Sequence, residues 1–173
     1  WPKDEILLCD LAQYKSGDLK IIIVPHEISQ TGIQKTRSLF GDQAVAYSEW
    51  NKSHTKASCV VVDSVGLLSR IYKYADIAYV GGGFGVGIHN ILEAAVFGPP
   101  VLFGPNYHRF REAVELIKAG GAFAVHDSQT LQQKVSELLN GQSIRERIKT
   151  INTEHVKQNA GATQRIMEVL GGS

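Results

Sequence analysis

Short apolar runs of strand length alternate with helix-like segments along this 173-residue chain, and the alternation predicts an α/β fold, a doubly wound parallel sheet with helices on both faces. Two further observations point the same way. Ile21-Ile22-Ile23-Val24, Cys59-Val60-Val61-Val62 and Val101-Leu102-Phe103 are continuously apolar, as strands buried on both sides are, rather than alternating. Loops rich in glycine, proline and polar residues follow the strands: Pro25-His26, Asp63 to Gly66, Gly81 to His89 and Gly104 to His108. In open sheets of this kind ligands sit beyond the carboxyl ends of the strands, where all four loops fall.

Taken in order, Asp4 to Lys15 reads as a helix with Ile6, Leu7, Leu8, Leu11 and Ala12 inward and Pro2 near its start. The strand Ile21 to Val24 ends at Pro25. Ile28 to Leu39 is a helix, Ala44 to Tyr47 a short strand, and Ser48 to Ser58 a polar loop. Cys59 to Val62 is the next strand, and Gly66 to Tyr74 a short helix with Leu67, Leu68, Ile71 and Tyr72 inward. Ile77 to Val80 delivers the chain into the glycine loop, and a central helix follows, with Ile88, Ile91, Leu92 and Ala95 as its buried stripe. Pro99-Pro100 breaks that helix before the strand Val101 to Phe103. Phe110 to Ala119 is helical, Gly120-Gly121 ends it, and Ala122 to Val125 is the last strand. Leu131, Val135, Leu138 and Leu139 mark one closing helix, and Ile144 to Val156 and Thr163 to Leu170 the tail.

Composition sets bounds. With 43% hydrophobic and 20% charged residues, the chain is long enough for one sizeable core and is expected to form one soluble domain over 1–173. Eighteen basic against 17 acidic residues give no electrostatic case for nucleic acid. Cys9 and Cys59 lie in apolar surroundings without zinc-ligand spacing, so both read as buried thiols in a reducing compartment. No apolar run approaches the ~20 residues that span a bilayer, and no targeting segment is evident.

The most informative stretch is Gly81-Gly82-Gly83-Phe84-Gly85-Val86-Gly87-Ile88-His89-Asn90-Ile91-Leu92-Glu93. Strand, glycine loop and helix in that order suit an anion, because glycines let backbone N–H groups approach and the helix start adds unpaired N–H groups. The stretch matches neither the spaced glycines of the dinucleotide fingerprint nor the phosphate loop ending in Lys-Ser/Thr. Asn90 and Glu93 are three apart and share a helix face. They suit hydrogen bonds to a ligand's hydroxyls, and they equally suit a capping box that needs no ligand. His89 can donate to a phosphate or orient the loop; His26, after Pro25, and Asn106, after Gly104-Pro105, are further candidates. Glu27 and Glu112 read as surface charges.

Gly82-Gly83-Phe84, His89-Asn90-Ile91-Leu92-Glu93 and Gly104-Pro105-Asn106 together resemble the carboxy-terminal half of bacterial 3-deoxy-D-manno-octulosonic acid (Kdo) transferases. The resemblance begins at Trp1-Pro2-Lys3-Asp4-Glu5, continues through Asp63-Ser64-Val65-Gly66 and Tyr74-Ala75-Asp76, and fades after about Val125. It implies a Rossmann-like sheet forming one half of a GT-B type glycosyltransferase, which moves Kdo from CMP-Kdo to a lipid A precursor in lipopolysaccharide biosynthesis. The donor CMP-Kdo would be held by His26, Gly66, Gly82, Gly83, Phe84, Gly85, His89, Asn90, Glu93 and Asn106. The family often carries Arg where His26 stands. The acceptor and the general base would belong to an amino-terminal domain outside this chain, the transferase would need no metal or other cofactor, and the full-length protein would work at the cytoplasmic face of the inner membrane. This half alone would be inactive.

On the residues alone the donor domain of another nucleotide-sugar transferase stays open, and so do two other classes. A dinucleotide-binding domain would carry its glycine loop after the first strand, whereas this loop follows the fourth recognisable one. A non-enzymatic nucleotide-binding module would have the same fold. The resemblance makes one further structural expectation. In the related transferases a strand ending in Gly-Ser-Thr or similar precedes the Trp-Pro, and doubly wound sheets place their first strand centrally. Ile21 to Val24 and Ile77 to Val80 are therefore expected to border a gap, which closes or is filled by a strand from elsewhere.

Overall fold

The six strands among the described residues form two parallel sheets, not one. The computed structural model describes residues 1–14, 19–26, 28–51 and 57–159. In the first sheet β1 (Ile21–Ile23), β2 (Ala44–Ala46) and β3 (Cys59–Val61) lie in the order β1-β3-β2. Cys59 stands opposite both Ile21 and Ala44. In the second, β4 (Ala78–Val80), β5 (Val101–Phe103) and β6 (Ala122–Ala124) lie in that order, with Val101 opposite both Ala78 and Ala122.

The edge strands β1 and β4 border a gap as expected, but among the described residues it is neither closed nor filled by another strand. Between them lies a slot of ≈ 650 Å³ lined by residues of both, among them Ile22, Val24, Ile77 and Tyr79. The ladder leaves backbone groups facing it. Ile21 donates to the Ser58 carbonyl and Val62 to the Ile23 carbonyl, so Ile22, the alternate residue, turns its N–H and C=O the other way. Ala78 donates to the Pro100 carbonyl, which turns Tyr79 toward the slot by the same alternation. One detail of order differs from a simple winding: β3 inserts between β1 and β2, so the chain passes to the outer position before returning.

Helix α1 (Pro2–Tyr14) holds the sheets together. Its Leu11 joins the apolar cluster of Leu102, Val125, Leu131, Val135, Leu138 and Ile148, while its Cys9 and Ala12 join Ile23, Phe40, Cys59 and Val61. One helix thus packs against both sheets across the slot. Ile6, expected inward, is 53% exposed, and Asp4 is buried at 3% instead. The cause is a polar contact that periodicity cannot register: the Tyr79 hydroxyl donates to Asp4 Oδ1 at 2.9 Å and draws that face of the helix in.

The remaining helices sit on both faces of the second sheet. α4 (Leu92–Ala95) and α5 (Arg111–Ala119) bury Ala94, Ala95, Ala113 and Leu116 on one face against Val80, Val101 and Phe103. α6 (Ser128–Asn140) and α7 (Gln142–Asn159) bury Leu131, Val135, Leu138 and Ile148 against the other. α2 (Gln30–Phe40) covers the first sheet, starting two residues later than expected because Ser29 caps it by accepting from the Gly32 N–H. Only Leu68–Tyr72 of the expected Gly66 to Tyr74 segment is helical; it forms α3. Gly120, at φ 82, ends α5 as the Gly-Gly pair implies. Lys15, Glu27 and Thr163 to Leu170 lie outside the described residues.

Asn152 on α7 was not foreseen. It is fully buried, and its Nδ2 donates to the Pro99 and Gly121 carbonyls at 2.7 and 3.1 Å, fastening α7 to the entries of β5 and β6. Both cysteines are buried free thiols, and burial pushes the Cys59 thiol up to about 12.

Candidate functional site

The glycine loop leaves β4 at Gly81 and is shaped first by its own backbone. The Gly82 carbonyl accepts from the N–H groups of Gly85 and Gly87, and the Gly81 carbonyl from His89. Gly82 has φ 95, and a Cβ there would lie 2.3 Å from the Gly87 carbonyl oxygen, so no other residue fits. At Gly83 a Cβ would come within 2.5 Å of the Gly104 nitrogen: the loop and the turn after β5 touch backbone to backbone. Gly85 is different. It is exposed, and a Cβ would meet nothing closer than 3.7 Å, so packing alone does not require glycine there.

The turn after β5 braces the loop from outside. Asn106 donates from its N–H to the Gly83 carbonyl at 3.0 Å and from Nδ2 to the Gly85 carbonyl at 2.8 Å. Arg109 donates to the Val86 carbonyl, and the Phe110 ring lies against Gly87. Peptide N–H and C=O groups point oppositely, so with these carbonyls held by the turn, the Phe84, Val86 and Gly87 amides face away from it. The Gly87 amide is taken by Gly82 within the loop. Asn106 therefore acts through the loop in this structure. Phe84 packs into the apolar cluster around Leu102, with its Cδ2 against Gly104, as a wedge beneath the loop.

Beyond the loop, α4 is only four residues long and its N-cap position is Ile91, so Asn90 precedes the helix. Asn90 Oδ1 accepts from the Leu92 N–H at 3.1 Å and its Nδ2 donates to Glu93 Oε1 at 3.2 Å. This is neither expected form in full. The reciprocal bond of a capping box, Glu93 to the Asn90 backbone, is replaced by a side-chain pair, and both residues are exposed at the mouth of the slot.

On the β1 side, His26 comes within ring distance of His89, with centroids 4.8 Å apart. Trp1 completes the group: its indole stacks on His26 at 4.9 Å and its Nε1 donates to His89 Nε2 at 2.7 Å. Partial burial and the neighbouring His26 lower the His89 pKa, against an opposing pull from Glu93 and Asp4. His26, His89, Asn90 and Glu93 thus gather at one end of the slot. Gly66 does not join them; exposed at φ 83 in the turn after β3, it is not part of the slot lining. Asp63, in the same turn, is held below the usual carboxylate range chiefly by the Ser48 hydroxyl. Among the described residues no group of three or more His, Cys, Asp or Glu side chains is arranged to hold a metal ion, and no helix is long and apolar enough to cross a membrane.

Comparison with known proteins finds relatives for most of the chain. No family model matches the chain. A 3-deoxy-D-manno-octulosonic acid transferase of Aquifex aeolicus is 33% identical over 79% of this chain and 38% of its own length. Those of Chlamydia trachomatis serovar D and Chlamydophila psittaci are 27% and 29% identical, over 98% and 80% of this chain and 40% and 33% of theirs. The chain is a homologue of the Kdo transferases. It spans about a third to two fifths of the length of the relatives it matches. The fold agrees with the crystal structure described as the C-terminal CMP-Kdo binding domain of WaaA from Acinetobacter baumannii, at TM-score 0.78 and 23% identity over 90% of this chain and 83% of that one.

Sequence reasoning missed three residues that the structure brings to the slot and its glycine loop. Trp1 carried only the resemblance, Asp4 sat within an apolar helix stripe, and Arg109 was one basic residue after a turn. The available signal was Asp4, a carboxylate among Ile6, Leu7, Leu8 and Leu11, which needs a partner if buried.

Proposed function

We propose that this chain is the donor-binding part of a Kdo transferase and that it holds CMP-Kdo at the carboxyl ends of β1, β4 and β5. The observation that carries this reading is the braced glycine loop, whose carbonyls are tied back by Asn106 and Arg109, beside the His26, His89, Asn90 and Glu93 group. Amides turned away from that brace suit a phosphate, and the Asn90–Glu93 pair suits neutral hydroxyls of the same ligand. The reaction would join an acceptor hydroxyl oxygen to the anomeric carbon of Kdo as the bond from that carbon to the CMP phosphate oxygen breaks. CMP would leave with the bonding electrons, and the hydroxyl proton would pass to a general base. This chain's share is to stabilise the charge gathering on the departing phosphate.

The acceptor, a lipid A precursor, and the base belong in this reading to the rest of the full-length protein, working at the cytoplasmic face of the bacterial inner membrane. Stabilisation by amides and imidazole would make a bound metal unnecessary. Titration calorimetry with CMP, UMP and NAD tests the reading: CMP is expected to bind tightest, and equal affinity for NAD overturns it.

A further inference from the structure

Trp1 lies against Gly81 at the start of the glycine loop, with its Cδ1 placed 3.1 Å from where a Cβ there would stand, and it touches both histidines of the site. Its one polar contact with them is chemically directional. An indole N–H can only donate, so His89 Nε2, at 2.7 Å, must offer a lone pair. That excludes two of the three states of the ring. The Nε2–H tautomer and the imidazolium both place a proton where the indole proton already points. We propose that Trp1 is a positioning residue that fixes His89 as the neutral Nδ1–H tautomer, so that Nδ1 is the edge presented as a hydrogen-bond donor to an anionic ligand oxygen.

The surroundings agree. His89 is exposed, and its Nδ1 has no hydrogen-bond partner among the described residues, so that edge is open to a ligand. The charged and titratable groups around it are Asp4 from α1, His26 after β1, and Glu93 on α4. Their balance, with burial, disfavours the imidazolium. The stack of Trp1 on His26 holds the indole plane, and Gly81 leaves room for it. A neutral donor keeps its hydrogen bond to phosphate or carboxylate across the neutral range, whereas an imidazolium would lose its charge above its ordinary value of about 6.5.

The tautomer stands on geometry alone; its use in binding rests on the donor-binding reading, and the two are tested separately. Nitrogen-15 NMR of the imidazole side chains at about pH 8 reads the first, since protonated and unprotonated ring nitrogens are well separated. His89 is expected to show Nδ1 protonated and Nε2 bare. Trp1→Phe keeps the ring stack but removes the N–H, and should relax His89 toward the Nε2–H form and raise its titration midpoint. A wild-type Nε2–H signal, or a Trp1→Phe spectrum unchanged at His89 with the fold retained by circular dichroism, overturns the proposal. For the second, the ratio of wild-type to Trp1→Phe affinity for CMP, in which the ligand's own phosphate ionisation at about pH 6 cancels, should rise by at least ~3-fold between about pH 6 and 8. A ratio that stays constant over that range contradicts the neutral donor. Failure of both proteins to bind CMP defeats the donor-binding reading and leaves the NMR result to decide the tautomer.

Discussion

Gly83 and Gly85 are two residues apart in one loop, yet the structure requires glycine at only one of them. A Cβ on Gly83 would meet backbone of Gly104, which cannot swing aside, so Gly83→Ala should destabilise the protein by ~1–3 kcal/mol, the usual cost of overpacking. Gly85→Ala has room and should leave the melting temperature near wild type while weakening CMP binding, if the backbone there approaches a ligand. Thermal melts and CMP titrations of the pair separate packing from recognition; equal melting losses would contradict the packing difference, and unchanged CMP affinity in Gly85→Ala would remove Gly85 from the site. Glu93 is tested similarly. As a ligand contact, Glu93→Gln should weaken CMP binding by ~1–3 kcal/mol, the scale of a charge-assisted hydrogen bond, at little cost in stability. Gln can still accept from Asn90 Nδ2, so a residue that only orders the helix start predicts unchanged affinity and unchanged melting.

At the scale of elements, apolar periodicity and turn residues made most of the fold legible. The six strands among the described residues and the helix end at Gly120 follow from apolar runs and from glycine chemistry that acts locally, whereas the Ser29 cap, inside the apolar stripe, moved the start of α2 two residues on from its expected place. What was not legible depends on contacts distant in sequence. The Tyr79–Asp4 bond spans 75 positions and rotates α1 away from its apolar stripe, and Asn152 reaches back to Pro99 and Gly121. The central helix is shorter than its stripe because Asn90 uses its side chain on the Leu92 N–H and the chain turns before it coils. The candidate site was legible as a loop and a residue pair, while its bracing by Arg109 and its ring cluster with Trp1 were not. The edge strands carry their own prediction. The amides of Ile22 and Tyr79 face the slot and should exchange with solvent faster than those of Ile21 and Ala78, which are bonded within the sheets. Joining a segment able to form a parallel strand ahead of Trp1 should slow both and raise the melting temperature. Slow exchange at Ile22 and Tyr79 without such a segment would mean that the two sheets close on each other in solution.

For the whole molecule, the arrangement joins two sheets through α1 and brings their carboxyl ends to one place. His26 arrives on β1, the glycine loop on β4 and its brace on β5, so the site depends on the sheets being held in register across an unpaired slot. Two-domain transferases close a second domain over such a face, which excludes water and supplies the groups a donor half lacks. Half of that cleft should bind nucleotide weakly, but selectively. Calorimetric titration of this chain with CMP and NAD under identical conditions tests the central claim most directly: the donor-binding account predicts measurable CMP binding, weakened by Glu93→Gln, with NAD weaker, and equal affinity for the two nucleotides or no binding of either would contradict it.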